Sequence, residues 1–314
     1  MEETQKEIDI LSIGEALIDF IGTQVEKPIK ETKDYHRYLG GSPTNVAMNM
    51  ARLGLKVKMV ATVGNDGFGD YILKRLHEVE IDTSDVREVN EVPSTVIFVN
   101  RTTGTPEFIP MRGADRLIEK GQITRSTLEA TKIYHTSCFA LSQQPARDTI
   151  LEFAEIAHNA GCQLSIDINY SKKIWPNTEE ALHTIKKYCA LKPLVKVSQD
   201  DMDRLFGRGM SHEEIFANLH QLGAKLVCLT LGKNGAKLSE MGKPVLELSA
   251  LKVEQIMDAT GAGDAFWSGF LFARIKGKSN RVCMETALKM AAIKLQNVGR
   301  IPDYALIISS ILNN

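Results

Sequence analysis

Asp258-Ala259-Thr260-Gly261-Ala262-Gly263-Asp264-Ala265-Phe266-Trp267-Ser268-Gly269-Phe270 joins a turn without bulky side chains to a lone carboxylate and an apolar helix start. Gly261, Ala262 and Gly263 leave backbone N–H groups uncovered at the first turn of a helix expected to run to about Ile275. Unpaired donors and the macrodipole at such a terminus attract an anion, and a phosphate fits there. Asp264 enters the same turn, where a carboxylate can take the proton of a hydroxyl attacking that phosphate. An Asp also suits the first turn of an ordinary helix, because the dipole favours negative charge there. Taken alone, the stretch supports both readings.

Upstream of it, short apolar runs alternate with helical patterns. Ile8–Ile13, Val57–Val63, Ile133–Thr136, Gln163–Ile168, Leu194–Val197 and Lys225–Leu231 read as buried strands. Helices are expected near Thr44–Leu53, Gly69–Val79, Pro145–Ala160, Thr178–Cys189 and Ser211–Leu222. Such alternation predicts an α/β fold with a mostly parallel central sheet between layers of helices. Two segments, about 16–40 and 92–113, break the pattern. There Leu17–Phe20 with Tyr35–Leu39, and Ser94–Asn100 with Glu107–Met111, read as strands joined by polar turns, either a small projecting sheet able to act as a lid or an ordinary edge hairpin. A further hairpin is expected around Met241-Gly-Lys-Pro244, and a long helix capped by Ser279 runs to about Asn297. No repeat, linker or low-complexity segment divides residues 1–314, so one domain is expected.

Composition narrows the function classes. The 314 residues carry a net charge of −1 with no basic block, which argues against a nucleic-acid face. Cys138, Cys162, Cys189, Cys228 and Cys283 are widely spaced with no C-x-x-C pair, the pattern of reduced core thiols. The charged start, Met1 to Asp9, and the lack of any apolar run near ~18 residues lead us to expect a cytoplasmic protein without a membrane span. Gly277-Lys278-Ser279 is no Walker A, since Phe272 stands where its first glycine belongs, and no Cys/His spacing suits zinc.

A second constellation, Gly40-Gly41-Ser42-Pro43-Thr44-Asn45, opens the helix after the first lid segment. Two glycines allow close backbone approach to a ligand, and Asn45 offers donors and an acceptor suited to sugar hydroxyls. A Gly-rich turn with a capped helix explains the same residues. Asp19, on an otherwise apolar segment, needs partners, either polyol hydroxyls or backbone.

In order and spacing, Gly40 to Asn45 and Asp258 to Asp264 resemble the two signatures of the ribokinase-like (PfkB) family of carbohydrate kinases, and the likeness extends from Ile8 to about Pro302. The resemblance implies a three-layer α/β sandwich with a small β-sheet lid, and ATP-dependent transfer of the γ-phosphate to a sugar hydroxyl. On it, Asp264 is the general base, and the N–H groups of Ala262, Gly263 and Asp264 stabilise charge on the phosphoryl group. Gly261 forms the turn before them, while Asp19, Gly40, Gly41 and Asn45 hold the sugar. Asp167-Ile-Asn169-Tyr-Ser-Lys172-Lys173-Ile-Trp175 resembles the family's D-x-N-x-R stretch, which implies that Asn169 contacts the sugar and that Lys172 or Lys173 serves the phosphates. Ser198-Gln-Asp-Asp201 stands at its N-x-x-E motif, so Asp201 would hold hydrated Mg²⁺, although an acidic pair starting a helix reads equally well. Ser198, Thr230, Gly232, Gly235 and Asn297 are expected near the nucleotide. Asp258 and Thr260, with carbonyls at 297–299, match a site for a monovalent cation such as K⁺.

Gly113-Ala-Asp115-Arg116-Leu117 and the run from Phe139 to Arg147 resemble the fructokinase branch, with Arg112 as a cation near the sugar. Fructose phosphorylated on a terminal hydroxymethyl is the expected reaction. The alternatives are 2-keto-3-deoxygluconate, ribose, and a catalytically silent sugar sensor, which would need no proton acceptor at 264. The lid edge also admits a homodimer.

Overall fold

In the computed structural model, which describes residues 6–104, 106–298 and 305–312, strands and helices alternate along most of the chain. The first half contains β1 (Ile8–Ile13), β2 (Leu17–Val25), β3 (Tyr35–Gly40), α1 (Ser42–Arg52), β4 (Val57–Gly64), α2 (Gly67–His77), β5 (Asp82–Val89), β6 (Val96–Arg101), β7 (Phe108–Met111), α3 (Arg125–Glu129), β8 (Thr131–Ser137) and α4 (Ala146–Asn159). The second contains β9 (Gln163–Asp167), α5 (Thr178–Cys189), β10 (Leu194–Ser198), α6 (Gln199–Leu205), α7 (His212–Gln221), β11 (Leu226–Thr230), β12 (Ala236–Glu240), β13 (Leu246–Leu248), α8 (Ala262–Ile275), α9 (Asn280–Leu295) and α10 (Ala305–Leu312).

Among the described residues, nine strands form the main sheet in the order β13-β12-β11-β10-β9-β8-β1-β4-β5. It is parallel from β11 to β5, and β12 and β13 add an antiparallel edge. Side chains alternate between its faces, as the two-residue period of a strand requires. Leu194, Leu226 and Cys228 enter a core with α1, α8 and α9, whereas Val195, Val197, Val227 and Leu229 enter another with α4, α5 and α7. Helix, sheet and helix are thus the three expected layers. Strand β5 escapes the apolar pattern because it is an edge strand, and in its sequence Asp82-Thr-Ser-Asp85-Val-Arg-Glu-Val89 only Val89 is fully buried.

The segments that break the alternation form a separate four-strand sheet, β3-β2-β6-β7. Leu17, Ile21, Ile97 and Val99 pack from it against Phe139 and Ile174 of the main body. Its outer positions Val25, Ile109 and Met111 stay exposed. Because only three residues separate the end of β1 from the start of β2, the small sheet hangs over the carboxyl ends of the parallel strands, where open α/β sheets hold ligands.

Helix α8 is apolar almost all round, with Ala265, Phe266, Trp267, Phe270, Leu271 and Phe272 buried, as suits a helix walled in by sheet and neighbours. Trp267 stacks on Phe270 at 4.9 Å and donates Nε1–H to Ser165 of β9, which fixes the rotation of α8 on the sheet. Gly269 lets α9 come close: a Cβ there would stand 2.9 Å from the Thr286 carbonyl oxygen and 3.0 Å from Ala287 Cα. Gly269→Ala is therefore expected to lower the unfolding free energy by about 1–3 kcal/mol. An unchanged denaturation midpoint would contradict the close α8–α9 contact.

Candidate active site

Two glycine turns bring distant helix starts together. Gly41, at φ +100°, turns the chain from β3 into α1, and a Cβ there would stand 2.2 Å from the Glu15 carbonyl oxygen. Gly40 has no room for one either, since it would meet Asp19 Oδ2 at 2.2 Å. Thr44 Oγ1 donates to the Glu15 carbonyl at 2.8 Å, and the Glu15 carboxylate accepts the Ser42 N–H at 3.0 Å and the Ser137 hydroxyl at 2.8 Å. Burial nonetheless pushes the Glu15 carboxyl up to about 8. Glu15 is a positioning residue that the motif reading did not single out.

Gly261, at φ +75°, makes the second turn, into α8. Asp264, in the first turn of α8, meets α1 across the site: Ser42 Oγ donates to its Oδ1 at 2.7 Å and Asn45 Nδ2 to its Oδ2 at 2.8 Å. Burial and the negative charge of Asp167 raise the Asp264 carboxyl to about 6, against the opposing pull of Ser42, Asn45 and Lys196. Each Asp264 oxygen retains a further lone pair for an incoming proton. Asp19 is raised to about 7 by burial, with the charges of Asp264 and Asp258 adding to it.

The loop before Asp264 separates two cavities. Gly261 lines one, of about 110 Å³, together with Asp19, Tyr38, Asn45 and Lys294. Gly263 lines the other, of about 750 Å³, together with Lys196, Ser198, Asp200, Thr230 and Gly232. Consecutive amides of one helix terminus therefore lie between a small pocket under the lid and a large open cleft.

The remaining expected residues divide. Ser198, Thr230 and Gly232 line the larger cleft, while Gly235 shapes its turn at φ +96°, where a Cβ would meet the Leu248 carbonyl at 2.1 Å. Lys172 is exposed and lines neither cavity, and Lys173 donates instead to the Phe108 carbonyl of the lid at 3.1 Å. Asn169 Oδ1 accepts the Phe139 N–H at 3.1 Å. Arg112 lies outside both cavities: it pairs with Asp115 at 2.5 Å, donates to Ser142 Oγ at 2.8 Å and stacks over Phe139. Asn297 is not in the nucleotide-sized cleft, and Gly299 lies outside the described residues.

The metal expectations need correction. Asp201 Oδ2 accepts from the Ser198 N–H at 3.1 Å and from its hydroxyl, and Oδ1 accepts from Arg204 at 2.9 Å, so this carboxylate caps α6. Asp200, beside it, lines the cleft instead. Among the described residues no three His, Cys, Asp or Glu side chains converge to hold a metal. Mg²⁺ fits as the companion of nucleotide phosphates, which supply most of its non-water ligands in such sites, beside Asp200 in the cleft. Potassium does not fit at Asp258 and Thr260, because the Lys294 ammonium lies 3.6 Å from Asp258 Oδ2 and donates to the Asn297 carbonyl at 3.2 Å.

Residues 7–305 match the family described as "pfkB family carbohydrate kinase". An ATP-dependent 6-phosphofructokinase of Thermoanaerobacterium thermosaccharolyticum is 37% identical over 95% of this chain and 91% of its own. The fructokinase of Halothermothrix orenii superposes with a TM-score of 0.80 at 33% identity, covering 90% of this chain and 98% of that one. An uncharacterised sugar kinase of Pyrococcus horikoshii, solved with ATP, superposes with a TM-score of 0.79 at 27% identity over 92% and 93% of the two chains.

Lys196 is another residue the motifs missed. It lies on β10 on the same face as Leu194, toward α8, and its Nζ would be 2.9 Å from a Cβ on Gly263. Asp167 holds it with both oxygens, at 3.0 and 2.9 Å, and both residues are buried. A lysine inside the apolar run Leu194-Val-Lys196-Val was the available signal. Lys196→Met would strand the Asp167 carboxylate, at a cost of about 3–5 kcal/mol at neutral pH. The Asp167 pKa, already raised by burial in the native protein, would rise further without Lys196, so the mutant should regain stability as pH falls and the carboxyl takes up a proton. Unfolding curves at pH 5 and 8 measure this, and an equal loss at both would contradict it.

Proposed function

Because the chain belongs to the pfkB family of carbohydrate kinases and is an ATP-dependent sugar kinase, we propose that it phosphorylates the terminal hydroxymethyl group of a ketose, with fructose as the acceptor. The observation that carries this reading is the position of the 261–263 loop between the two cavities, with Gly261 lining one and Gly263 the other, and with the next residue, Asp264, held by Ser42 and by Asn45 of the smaller pocket. The acceptor occupies the smaller pocket, where Asp19 and Asn45 bind its hydroxyls. ATP lies in the larger cleft, with its phosphates toward Gly263 and Lys196. Mg²⁺, when bound with the nucleotide, offsets phosphate charge.

Asp264 takes the proton as the acceptor oxygen attacks the γ-phosphorus and the bond to the ADP oxygen breaks. The N–H groups of Gly263 and Asp264 and the Lys196 ammonium stabilise negative charge on the phosphoryl oxygens, while the Ala262 N–H donates to the Ala259 carbonyl at 3.2 Å and closes the turn before them. Ser42 and Asn45 favour the ionised form of Asp264 and aim it, leaving it basic enough to accept a proton at neutral pH. The lid strands close the acceptor side, and Arg101 of β6 ties them to the loop before Asp258 through the Met257 carbonyl at 3.1 Å.

Asp264→Asn is expected to lower kcat by at least ~10²-fold while leaving sugar affinity within a small factor, as removal of a general base does. In the unaltered enzyme kcat/KM should rise with pH through about 6, as Asp264 loses its proton. Ser42→Ala should move that limb to higher pH, since the lost hydrogen bond favoured the ionised form. A flat profile across this range, or equal loss of binding and turnover in Asp264→Asn, would rule out the base.

A second reading rests on Arg52 and Arg75, which line the same small pocket, and on the 6-phosphofructokinase among the relatives. Guanidinium groups there suit an acceptor that already carries a phosphate. A panel of fructose, fructose 6-phosphate, 2-keto-3-deoxygluconate and ribose, compared by kcat/KM, decides between them. Fructose should lead. If fructose 6-phosphate leads and Arg52→Ala abolishes that advantage, the acceptor is the sugar phosphate.

A further inference from the structure

Asp258 is buried at 1% exposure, and its two oxygens are treated differently. Oδ1 accepts the Thr260 N–H at 3.0 Å, whereas Oδ2 accepts no hydrogen bond and faces Lys294 Nζ at 3.6 Å. The same ammonium donates to the Asn297 main-chain carbonyl at 3.2 Å. Lys294 is itself buried, on α9, and its Cε stands 3.6 Å from the position of a Cβ on Gly261. One positive charge thus sits among a carboxylate oxygen and a carbonyl oxygen, directly behind the phosphate loop. Such hard oxygen donors also suit a metal ion, and an ammonium and a potassium ion carry the same single charge.

We propose that Lys294 is a tethered monovalent cation: its ammonium stands where the family resemblance expects potassium, so phosphoryl transfer in this enzyme needs no potassium. A second monovalent cation beside it would meet a like charge in a region of low dielectric, where repulsion is strong. The ammonium is held in place by α9, which the close packing at Gly269 fixes against α8. It compensates Asp258, Asp258 fixes the Thr260 amide, and Thr260 leads into the left-handed turn at Gly261 that aims the loop amides. Lys294 is accordingly a positioning residue for the phosphate loop.

The inference rests on the reading of residues 258–264 as the phosphate loop, so its test includes a readout independent of turnover. Thermal unfolding of the unaltered protein should be the same in potassium chloride and in choline chloride of equal ionic strength. Lys294→Met keeps the length of the side chain and removes the charge. This variant should unfold at a lower temperature in choline and be stabilised by potassium or ammonium specifically. In the kinase assay the unaltered enzyme should show no potassium activation, while Lys294→Met should lose activity by about 5- to 150-fold in choline and recover it with potassium or ammonium. Potassium activation of the unaltered enzyme by about 5-fold or more would overturn the proposal. So would a Lys294→Met variant that neither salt restores in either measurement, or one in which only the acceptor KM changes.

Discussion

The Asp264 carboxylate joins the starts of α1 and α8 by accepting from Ser42 and from Asn45, residues 222 and 219 positions away in the chain. Both helices begin at glycines held at positive φ, Gly41 and Gly261, because only there can the backbone turn sharply enough to aim two helix N-termini at one point. A residue with a Cβ at Gly41 would collide with the Glu15 carbonyl, so the acceptor-side turn is set by the end of β1 as much as by its own sequence. The anion-attracting ends of both helices then converge where negative charge must be held while it moves between groups.

That convergence sets an electrostatic problem, which the surrounding charges answer. Burial raises Asp19, Asp167 and Asp264 above the ordinary carboxylate range, and for Asp19 and Asp264 the charge of neighbouring carboxylates adds to it. Lys196 pairs with Asp167 on the cleft side, and Lys294 pairs with Asp258 on the pocket side. Each lysine is thus held by a carboxylate and pressed against a glycine of the loop, Gly263 for one and Gly261 for the other. At Gly263 the missing side chain admits the close approach of the Lys196 ammonium, whereas at Gly261 it permits the left-handed turn. The balance leaves Asp264 near the middle of its titration just below neutrality, as suits a group that must both hold a negative charge and accept a proton.

Much of this was readable from the sequence because periodicity is a local property. The six buried strands and the helices between them fall within a few residues of their expected bounds, and α8 ends at Ile275 as its apolar run indicates. Strand β5 was not readable, since an edge strand with one face in water carries too few apolar residues to declare itself. Motif spacing singled out Asn45 and Asp19, which line one pocket, and Asp264, which accepts from Asn45, because a glycine turn fixes the direction in which the adjoining helix leaves it. It failed for Lys172, Arg112 and Asp201. Those are charged side chains whose partners (solvent, Asp115, and Ser198 with Arg204) come from chain geometry that no spacing encodes. Lys196, Glu15 and Lys294 are the opposite case: each is an ionisable residue within an apolar or small-residue run, a signal of function that only tertiary packing makes interpretable.

The proposal that Asp264 meets the acceptor hydroxyl is tested most directly by a crystal structure of the enzyme with fructose and a non-hydrolysable ATP analogue. The terminal hydroxyl of the sugar should lie within ~3 Å of Asp264, facing the γ-phosphorus, with the γ-phosphate oxygens on the amides of Gly263 and Asp264. A hydroxyl held instead by Asp19, or a γ-phosphate lodged away from Gly263 and Lys196, would contradict it.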